Sequence, residues 1–427
     1  MSEQKNEKGA LVPRLRFPGF TAPWAYEPLS KVLKENKLKN TSGREVFSVS
    51  MEYGVVNQIE LLGRSFAAAD TSHYTIGRRY DVVYTKSPLK AFPFGIVKQC
   101  KFDGEAALSP LYGVFTPHNP HLGLMIEAYF ESPNRSIAFL TPLCQKGAKN
   151  TIQITNTTFL SGKLPLPTER AEQQKIADCL SSLDELIAAE SQKLTTLKTH
   201  KKGLMQQLFP REGETVPRLR FPEFRDAGEW ENKSLGEVCD VLQGYGFPEA
   251  LQGRTKGKYP FCKVSDISRA VAENGGILVE AANYVGDDEL SKLRAKPIPP
   301  GTTVFAKIGE ALRLNRRAFV RTECLIDNNA VGLKAILGCA DDYFVYLLSQ
   351  LIDLNKHCGG AVPSVNKSTL EAIEVVVPKP KEQKQIAASL SSLDDLITAQ
   401  TQKIAALKTH KKGLMQQLFP VLDEVQP

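Results

Sequence analysis

The segment LKTHKKGLMQQLFP stands at residues 197–210 and again, without one difference, at residues 407–420. The match extends backwards, since 28 of the 39 residues in 172–210 are identical to those in 382–420. The offset of 210 residues is close to half of the 427-residue chain. The sequence is therefore two copies of one unit, each with a variable part followed by a nearly invariant closing segment.

Both closing segments follow alternating spacings of four and three, with apolar residues at most of these positions and Glu190, Lys201, Gln400 and Lys411 at the others. A heptad pattern sustained over more than four repeats predicts a coiled-coil helix, and about 40 residues at ~1.5 Å each span about 60 Å. Thr168 is a plausible N-cap for the first helix, and Pro380 lies where the first turn of the second helix starts. The predicted seam consists of Ile176, Leu180, Leu183, Ile187, Leu194, Leu197, Ile386, Leu390, Leu393, Ile397, Ile404 and Leu407.

Neither helix can bury its apolar stripe alone, so two like helices in one chain most simply pack on each other. Two equal units favour an antiparallel arrangement about a pseudo-two-fold axis. Glu190 and Gln400 then fall near the middle of the seam, where a polar pair helps to set register. Gly203 and Gly413 each cost up to about 1 kcal/mol against alanine inside a helix, which predicts a close contact or a bend there.

A shorter repeat opens each half: PRLRFPGF at 13–20 and PRLRFPEF at 217–224, each followed by a tryptophan. The halves then diverge into short β-branched and aromatic runs separated by Gly, Pro and Asn, which predicts strands joined by loops. Helices are predicted at 341–355 and at 123–130, and the fold class is α+β. The predicted division is a first variable domain at 1–167, a helix at 168–212, a second variable domain at 213–377 and a helix at 378–427.

Composition is ordinary, with 42% hydrophobic and 24% charged residues. No stretch of about 20 apolar residues exists and the N-terminus is polar, so we expect no membrane span, no secretion and a cytoplasmic location. Eight cysteines without a Cys-x-x-Cys pair are expected to be reduced thiols. The net charge is +7; residues 1–167 carry +7, whereas residues 213–377 carry two more acidic than basic residues.

Basic residues concentrate in loop-like stretches of both variable parts, where Lys and Arg can contact phosphates and base edges of DNA. A single such residue is more often a solvated surface charge, but clusters in both halves favour a polyanion partner. The candidate DNA-binding residues are Lys37, Lys39, Arg78, Arg79, Lys86, Lys90, Arg254, Lys256, Lys258, Arg313, Arg316 and Arg317.

Motifs for catalysis and cofactors are missing from the sequence. There is no dinucleotide or phosphate-binding glycine loop, no Gly-x-Ser-x-Gly elbow, and no Asn-Pro-Pro-aromatic motif of adenine methyltransferases. His118 and His121 have no carboxylate or thiol company that would make a metal site. The carboxylates of Asp226 and Glu231 are more consistent with surface charge than with a nuclease centre. We therefore assign no catalytic residue and no metal ligand.

The closing segments EQQKIADCLSSLDELI and EQKQIAASLSSLDDLI, each leading to LKTHKKGLMQQLFP, resemble the two conserved regions of specificity subunits of type I restriction-modification enzymes. The openings PRLRFPGF and PRLRFPEF resemble the starts of that family's target recognition domains. The proline-rich runs before Glu-Gln, LPLPTERAEQ and VVVPKPKEQ, are similar to the ends of those domains. The resemblance spans essentially the whole chain, with both halves in order.

The resemblance implies two target recognition domains, each reading one half of a bipartite, asymmetric DNA site, held apart by two antiparallel helices whose length sets the unread gap. It implies docking of two methyltransferase subunits, which bring S-adenosylmethionine. It also implies a restriction and translocation subunit that brings ATP and magnesium, and a specificity subunit without chemistry of its own. Two alternatives stay open: a coiled-coil adaptor that binds only proteins, and a stand-alone metal-dependent endonuclease, which no motif supports.

Overall fold

A computed structural model of the chain describes residues 11–146 and 152–420. They form two compact units. Unit 1 contains the described residues up to Ala188 and those from Ala405 onwards, and unit 2 contains Ala189–Ile404. Each unit holds one mixed α/β domain together with a segment from each of two long helices. The part of unit 1 outside those helices is called domain 1, and the corresponding part of unit 2 is called domain 2.

Domain 1 combines twelve described strands with four short helices. The strands are β1 (Ala25–Pro28), β2 (Leu33–Glu35), β3 (Val46–Ser50), β4 (Gly54–Asn57), β5 (Thr75–Arg78), β6 (Val82–Thr85), β7 (Ile96–Gln99), β8 (Glu105–Leu108), β9 (Tyr112–Pro117), β10 (Gln145–Lys146), β11 (Ile152–Gln153) and β12 (Lys163–Leu166). The helices are α1 (Gln58–Leu62), α2 (Pro120–Phe130), α3 (Pro133–Leu140) and α4 (Asn156–Ser161).

Two four-stranded sheets build most of domain 1, in the orders β2-β9-β6-β7 and β4-β3-β8-β5, and β1 pairs with β12. Helix α2 begins where the Asn119 side chain accepts the backbone N–H of Leu122 and Pro120 occupies the first turn. Its residues 122–130 are all buried in the domain core. The first long helix, α5 (Arg170–Leu208), follows the domain.

Domain 2 has ten strands and six short helices. The strands are β13 (Glu231–Ser234), β14 (Cys239–Gln243), β15 (Tyr259–Cys262), β16 (Ile277–Leu278), β17 (Asn283–Val285), β18 (Thr303–Ala306), β19 (Ala318–Val320), β20 (Leu325–Ile326), β21 (Ala330–Ala335) and β22 (Glu374–Val377). The helices are α6 (Leu235–Val238), α7 (Val264–Glu273), α8 (Asp287–Leu293), α9 (Glu310–Arg313), α10 (Asp342–Leu351) and α11 (Lys367–Glu371).

The main sheet of domain 2 has the order β14-β21-β18-β19-β16, a second sheet has the order β17-β15-β20, and β13 pairs with β22. Helix α10, capped by the Asp341 side chain, buries residues 343–349. The predicted helix at 341–355 is confirmed up to Leu351, and a 3₁₀ turn at Leu354–His357 forms the remainder. The second long helix, α12 (Pro380–Leu418), closes the described chain.

The sequence-based expectations for the long helices hold well. Both are 39 residues long, α12 begins at Pro380 as predicted, and both end one residue before the Phe-Pro pair. All twelve predicted seam residues are buried or half-buried. The predicted fold class, α+β with two mixed domains and two long paired helices, is confirmed. The predicted domain boundaries remain a prediction.

Within unit 1, the start of α5 and the end of α12 hold the opening segment of domain 1. The Arg16 guanidinium donates two hydrogen bonds to the Glu172 carboxylate, at 2.7 and 2.8 Å, and the Trp24 indole N–H donates to the same carboxylate at 3.2 Å. The backbone N–H of Leu15 donates to the carbonyl of Gln417 at 3.0 Å. The helix segments therefore run in opposite directions in this unit.

Unit 2 repeats this joint with its own copies of the same residues. Arg220 donates two hydrogen bonds of 2.7 Å to the Glu382 carboxylate, and the Leu219 N–H donates to the carbonyl of Gln207 at 2.9 Å. Trp230 packs its ring 5.8 Å from that of Phe209. The repeated opening and closing motifs therefore meet each other, which explains why they recur together.

An identical lysine–aspartate pair joins the two helices in each unit but meets different domain residues. In unit 1, the Lys411 ammonium lies 2.7 Å from Asp184 and 3.2 Å from Glu131, whose pKa is lowered by Lys98 and Lys411 despite its burial. In unit 2, Lys201 lies 2.7 Å from Asp394, which also accepts the Tyr343 hydroxyl. The Lys–Asp contact between the two helices is thus repeated, whereas the domain residues that contact this pair differ.

The polar pair predicted at the centre of the seam is present in unit 2. The Gln400 amide donates to the backbone carbonyl of Glu190 at 2.9 Å and to its carboxylate, and the Lys403 ammonium pairs with the same carboxylate. These hydrogen bonds lower the pKa of Glu190, Gln400 having the larger effect. The pair therefore fixes the register of the helices at this point.

Of the close contact or bend predicted at the helix glycines, the close contact is absent. A Cβ added to Gly203 or Gly413 meets no described atom within 4 Å, and both helices continue through these positions. The reason is that both glycines lie on a face of the helix with open space beside it. Their cost is therefore the intrinsic helix propensity of glycine alone.

Gly203→Ala and Gly413→Ala are each expected to stabilise the chain by up to about 1 kcal/mol, because alanine loses less backbone entropy on folding and finds room for its methyl group. Urea unfolding followed by circular dichroism at 222 nm measures the gain. Gly276→Ala is the opposing control, because its Cβ would lie 2.4 Å from the Tyr346 hydroxyl. A loss of stability in the two helix variants would show a contact that the structure lacks.

Candidate nucleic-acid interface

The structure divides the candidate basic residues of domain 1 between two places. The first lies where β5 pairs with β8, because Arg78 stands opposite Glu105 in that register. Its guanidinium lies 2.8 Å from the Glu105 carboxylate, which Arg44 also contacts at 3.0 Å, and these hydrogen bonds lower the pKa of Glu105. Arg79 pairs with Asp103 in the same way. The charge of this cluster is therefore largely compensated within the protein.

Lys39 lies beside the other end of β5. It forms an isolated β-bridge with Thr75, the first residue of that strand, and its ammonium donates to the carbonyl of His73 at 3.0 Å. This neutral partner leaves the lysine charge uncompensated. Arg79 also lies over the ring of Tyr80 at 5.2 Å, an exposed cation–π contact.

The second place in domain 1 is the C-terminal end of β6, whereas Arg78 and Arg79 precede the start of that strand. Lys86 follows the last residue of that strand, Lys90 lies in the same β6–β7 loop, and Lys37 follows β2. All three are exposed. The ammonium of Lys37 is 3.7 Å from the Glu35 carboxylate, and partial burial lowers the pKa of Lys86. This end therefore presents lysines with at most one distant carboxylate.

The candidate basic residues of domain 2 also lie in two separate places. The loop with Arg254, Lys256 and Lys258 lies against the start of α8, whose first turn is acidic. Arg254 is 2.6 Å from Glu289, and Lys258 is 2.8 Å from Asp287. The hydrogen bond from Lys258 lowers the pKa of Asp287, so this carboxylate stays ionised. Lys256 is exposed in the same loop.

Arg313 and Arg316 lie instead in the connection between β18 and β19. Arg313 is exposed at the end of α9 and lies 3.4 Å from Glu310, an exposed neighbour on the same helix. Arg316 is half-buried. Exposed ion pairs of the Arg313 type contribute little and exchange readily with other partners, so this connection can offer its charge to an anion.

Arg317 does not belong to this surface. It is only 5% exposed, its guanidinium lies 4.4 Å over the Phe305 ring, and it donates to the carbonyls of Arg316 and Ile352 and to the side chain of Asn315. Burial lowers its pKa to about 10. The sequence places this arginine beside Arg316, but residue 317 begins the run into β19 and turns inward. We therefore leave it out of the proposed DNA-contacting set.

Sequence reasoning missed several polar residues at strand ends. Lys307 follows β18, Asn329 precedes β21, and Gln243 ends β14. The Lys307 ammonium donates to the Gln243 amide oxygen at 2.8 Å, and the Lys307 backbone N–H donates to the carbonyl of Asn329 at 2.8 Å. Their position beside strand termini is the feature that could have identified them. Clusters of basic residues in the sequence do not reveal it.

The described residues contain neither a metal-ligand cluster nor a membrane-spanning helix. In residues 11–146 and 152–420 no group of three or more His, Cys, Asp or Glu side chains is placed to hold a metal ion. No helix within these ranges combines the length and apolar character needed to cross a bilayer. All eight cysteines are free thiols.

The chain belongs to a known family. A family model described as the type I restriction modification DNA specificity domain matches residues 106–199 and 227–409, which is more than half of the chain. The family assignment that the repeated motifs suggested is thereby confirmed. Both matched stretches run from a variable domain into the following long helix.

Two relatives agree with this assignment. The putative type I restriction enzyme MjaX specificity subunit of Methanocaldococcus jannaschii is 27% identical over 282 residues, covering 64% of this chain and 62% of the relative. The MjaVIII specificity subunit of the same organism is 27% identical over 280 residues, covering 61% and 62%. The chain thus matches about three fifths of the length of these relatives.

A crystal structure of the type I restriction-modification system S subunit from M. genitalium is similar over 96% of this chain and 100% of its own length. The TM-score is 0.61 at 13% sequence identity. At this identity the similarity concerns the fold, and it covers both domains and both helices.

Proposed function

We propose that this protein is the DNA-recognition subunit of a type I restriction-modification complex, in which each domain reads one half of a bipartite, asymmetric site. One observation carries the proposal. The Arg–Glu pair and the backbone hydrogen bond that hold each domain to the helices are duplicated at equivalent residues, whereas the loops that present basic and amide side chains differ between the domains. Like scaffolds that carry unlike surfaces suit two unlike half-sites.

The helices are proposed to set the unread gap and to dock two methyltransferase subunits. Leu186 and Leu396 occupy equivalent positions in the two helices and are 41% and 55% exposed, away from the buried seam. Paired apolar side chains at equivalent positions suit two copies of one partner. S-adenosylmethionine would bind to those methyltransferase subunits, and ATP and magnesium to a restriction subunit. The chain itself would be non-catalytic and act on DNA in the cytoplasm.

The alternative function is a coiled-coil adaptor that would bind proteins through the same helices. Against it, the seam side chains are used inside the units: Ile176 and Leu180 belong to the unit 1 core, and Ile386 and Leu390 to the unit 2 core. These four side chains are already buried, so this part of the seam cannot recruit further helices. The adaptor also leaves the diverged basic loops without a purpose.

A methylome tests the proposal. The chain would be expressed with a cognate methyltransferase subunit in a host without DNA modification, and N6-methyladenine would be located by sequencing. One new bipartite motif with an unread gap is the expected result. If an intact complex produced no methylation, the DNA-recognition proposal would fail and the adaptor would be favoured.

Exchanging a whole domain tests the assignment of half-sites. Replacing residues 213–377 by the corresponding domain of another specificity subunit should change one half-site and leave the other half-site and the gap unchanged, since the helices are retained. The same methylation sequencing reads the result. A change in both half-sites would contradict modular recognition.

A further inference from the structure

The main sheets of the two domains share one topology. In domain 1 the order is β2-β9-β6-β7, and in domain 2 the order β14-β21-β18-β19 repeats it with the same antiparallel directions. The pairs Thr85–Tyr112 and Ala306–Ala330 mark the same end of the sheet in each domain. This alignment makes residues comparable although the sequences of the domains have diverged.

At that end, two pairs of positions correspond. Lys86 directly follows β6, and Lys307 directly follows the equivalent strand β18. Leu111 directly precedes β9, and Asn329 directly precedes the equivalent strand β21. We call these two pairs of positions, together with a third pair at the ends of β2 and β14, the shared sheet edge. Its members are Lys37, Lys86 and Leu111 in domain 1 and Gln243, Lys307 and Asn329 in domain 2.

The third pair lies where the first strand of each sheet order ends. Gln243 stands opposite Val331, the second residue of β21. In domain 1, β2 ends at Glu35, which stands opposite Phe115, and the backbone N–H of Asn36 bonds to the carbonyl of Val114. Lys37 is the next residue, before the chain turns to β5, where the N–H of Ile76 donates to the carbonyl of Leu38 at 2.8 Å. Lys37 thus lies just beyond the end of β2, and Gln243 lies at the end of β14.

Backbone hydrogen bonds hold this edge in place in domain 2. The N–H of Gly309 donates to the carbonyl of Pro363 at 2.8 Å, and the N–H of Val365 donates to the carbonyl of Lys307 at 2.9 Å. The Asp327 carboxylate, whose pKa is raised by burial, accepts the backbone N–H of Asn329 at 3.1 Å. The side chains thus project from a fixed backbone, as sequence readout requires.

Domain 1 holds its edge through a glycine. Gly95, at the end of the β6–β7 loop, has a φ of 96°, and a Cβ there would lie 1.8 Å from the carbonyl oxygen of Thr85. The loop after Lys86 is further closed by the backbone pair of Leu89 and Phe92, with hydrogen bonds of 3.0 and 2.9 Å. The loop therefore has little freedom to move its lysines.

The competing basic clusters differ in charge. Arg78, Arg254 and Lys258 each contact a carboxylate within 3 Å, which compensates their charge. Lys307 instead donates to a neutral amide, the side chain of Gln243. A base contact by Lys307 therefore breaks no ion pair between described residues, whereas a contact by Arg78, Arg254 or Lys258 does. At the domain 1 edge, Lys37 has a carboxylate only at the longer distance of 3.7 Å, that of Glu35.

We propose that the shared sheet edge reads bases in both half-sites, with Lys37 and Lys86 acting in domain 1 and Gln243, Lys307 and Asn329 in domain 2. This inference rests on the proposed function. Lysine donates to the acceptors of guanine, and the amides of Gln and Asn pair with adenine. Since one edge offers lysines beside an exposed Leu111 and the other offers amides beside one lysine, the two edges read different sequences.

The test uses the full chain in complex with its methyltransferase subunit and reads the methylated motif. Lys307→Ala and Asn329→Ala should each relax one base pair of a single half-site, with a loss of about 5- to 150-fold in discrimination at that position. Lys86→Ala should do the same in the other half-site. Lys292→Ala, an exposed lysine of α8 in domain 2, should leave the motif unchanged.

The remaining outcomes separate the inference from the function on which it rests. An unaltered half-site in each variant shows that the complex is folded and active, and Lys307→Arg should retain methylation because it keeps the charge. If Lys307→Ala and Asn329→Ala kept the full motif while Arg254→Ala changed it, the reading would belong to the loop at 254–258 and the inference would be overturned. If the wild-type complex methylated nothing, the proposed function itself would fail.

Discussion

Replacing Glu382 by alanine is expected to destabilise unit 2 by about 3–5 kcal/mol, because it leaves the Arg220 guanidinium buried without its counter-ion. The side chains of Arg220 and Glu382 are 9% and 3% exposed, and both hydrogen bonds between them measure 2.7 Å. The pair ties the opening motif of domain 2 to the first turn of α12. Its loss therefore loosens the domain from the helices rather than removing a surface contact.

Hydrogen exchange followed by mass spectrometry is the suitable measurement, since a chain of two units need not unfold in one step. Peptides of domain 2 should lose protection, while peptides of domain 1 keep it. Glu310→Ala, which removes a carboxylate that is 85% exposed, is the matched control and should change stability by less than about 0.5 kcal/mol.

A double variant distinguishes a lost ion pair from an uncompensated charge. Replacing Arg220 by methionine and Glu382 by leucine removes both charges and should recover much of the stability, because an apolar pair of similar volume is often as stable as a buried ion pair. A Glu382→Ala variant with protection equal to the wild type would show that solvent already screens Arg220.

The helices and the family were predictable from the sequence because both depend on repetition. A heptad stripe of leucine and isoleucine and an exact repeat ending at Pro210 and Pro420 need no knowledge of the tertiary structure. The strands at 82–85, 96–99 and 303–306 lie among the short runs of β-branched and aromatic residues from which strands are predicted. The local sequence pattern predicts these elements because it depends only on residues that are close together in the chain.

The candidate interface was less predictable because it depends on which strands lie side by side. Lys307 and Gln243 are 64 residues apart and meet only because β14 and β18 both flank β21. Arg316 and Arg317 are neighbours in sequence, yet the second is buried against Phe305. Charge in a sequence window therefore identifies loops but not the direction of their side chains.

Phe419→Ala is expected to cost about 3–5 kcal/mol in unit 1, since it removes a ring that is fully buried. The Phe419 ring lies 6.0 Å from that of Trp24 and 5.8 Å from that of Tyr129, with the Arg135 guanidinium 5.1 Å above it. It therefore joins the end of α12 to both the opening motif and helix α2. Deleting it opens a cavity where these three elements meet.

The identical motif in the first helix supplies a matched control. Phe209, the equivalent residue of unit 2, packs 5.4 Å from Phe344 and 5.8 Å from Trp230, so Phe209→Ala should have a similar cost confined to unit 2. Hydrogen exchange of each domain and the methylated motif give two independent readings. Phe419→Ala should weaken recognition of the domain 1 half-site and Phe209→Ala that of the other, whereas equal losses in both half-sites from either variant would show that the joints act on the whole chain.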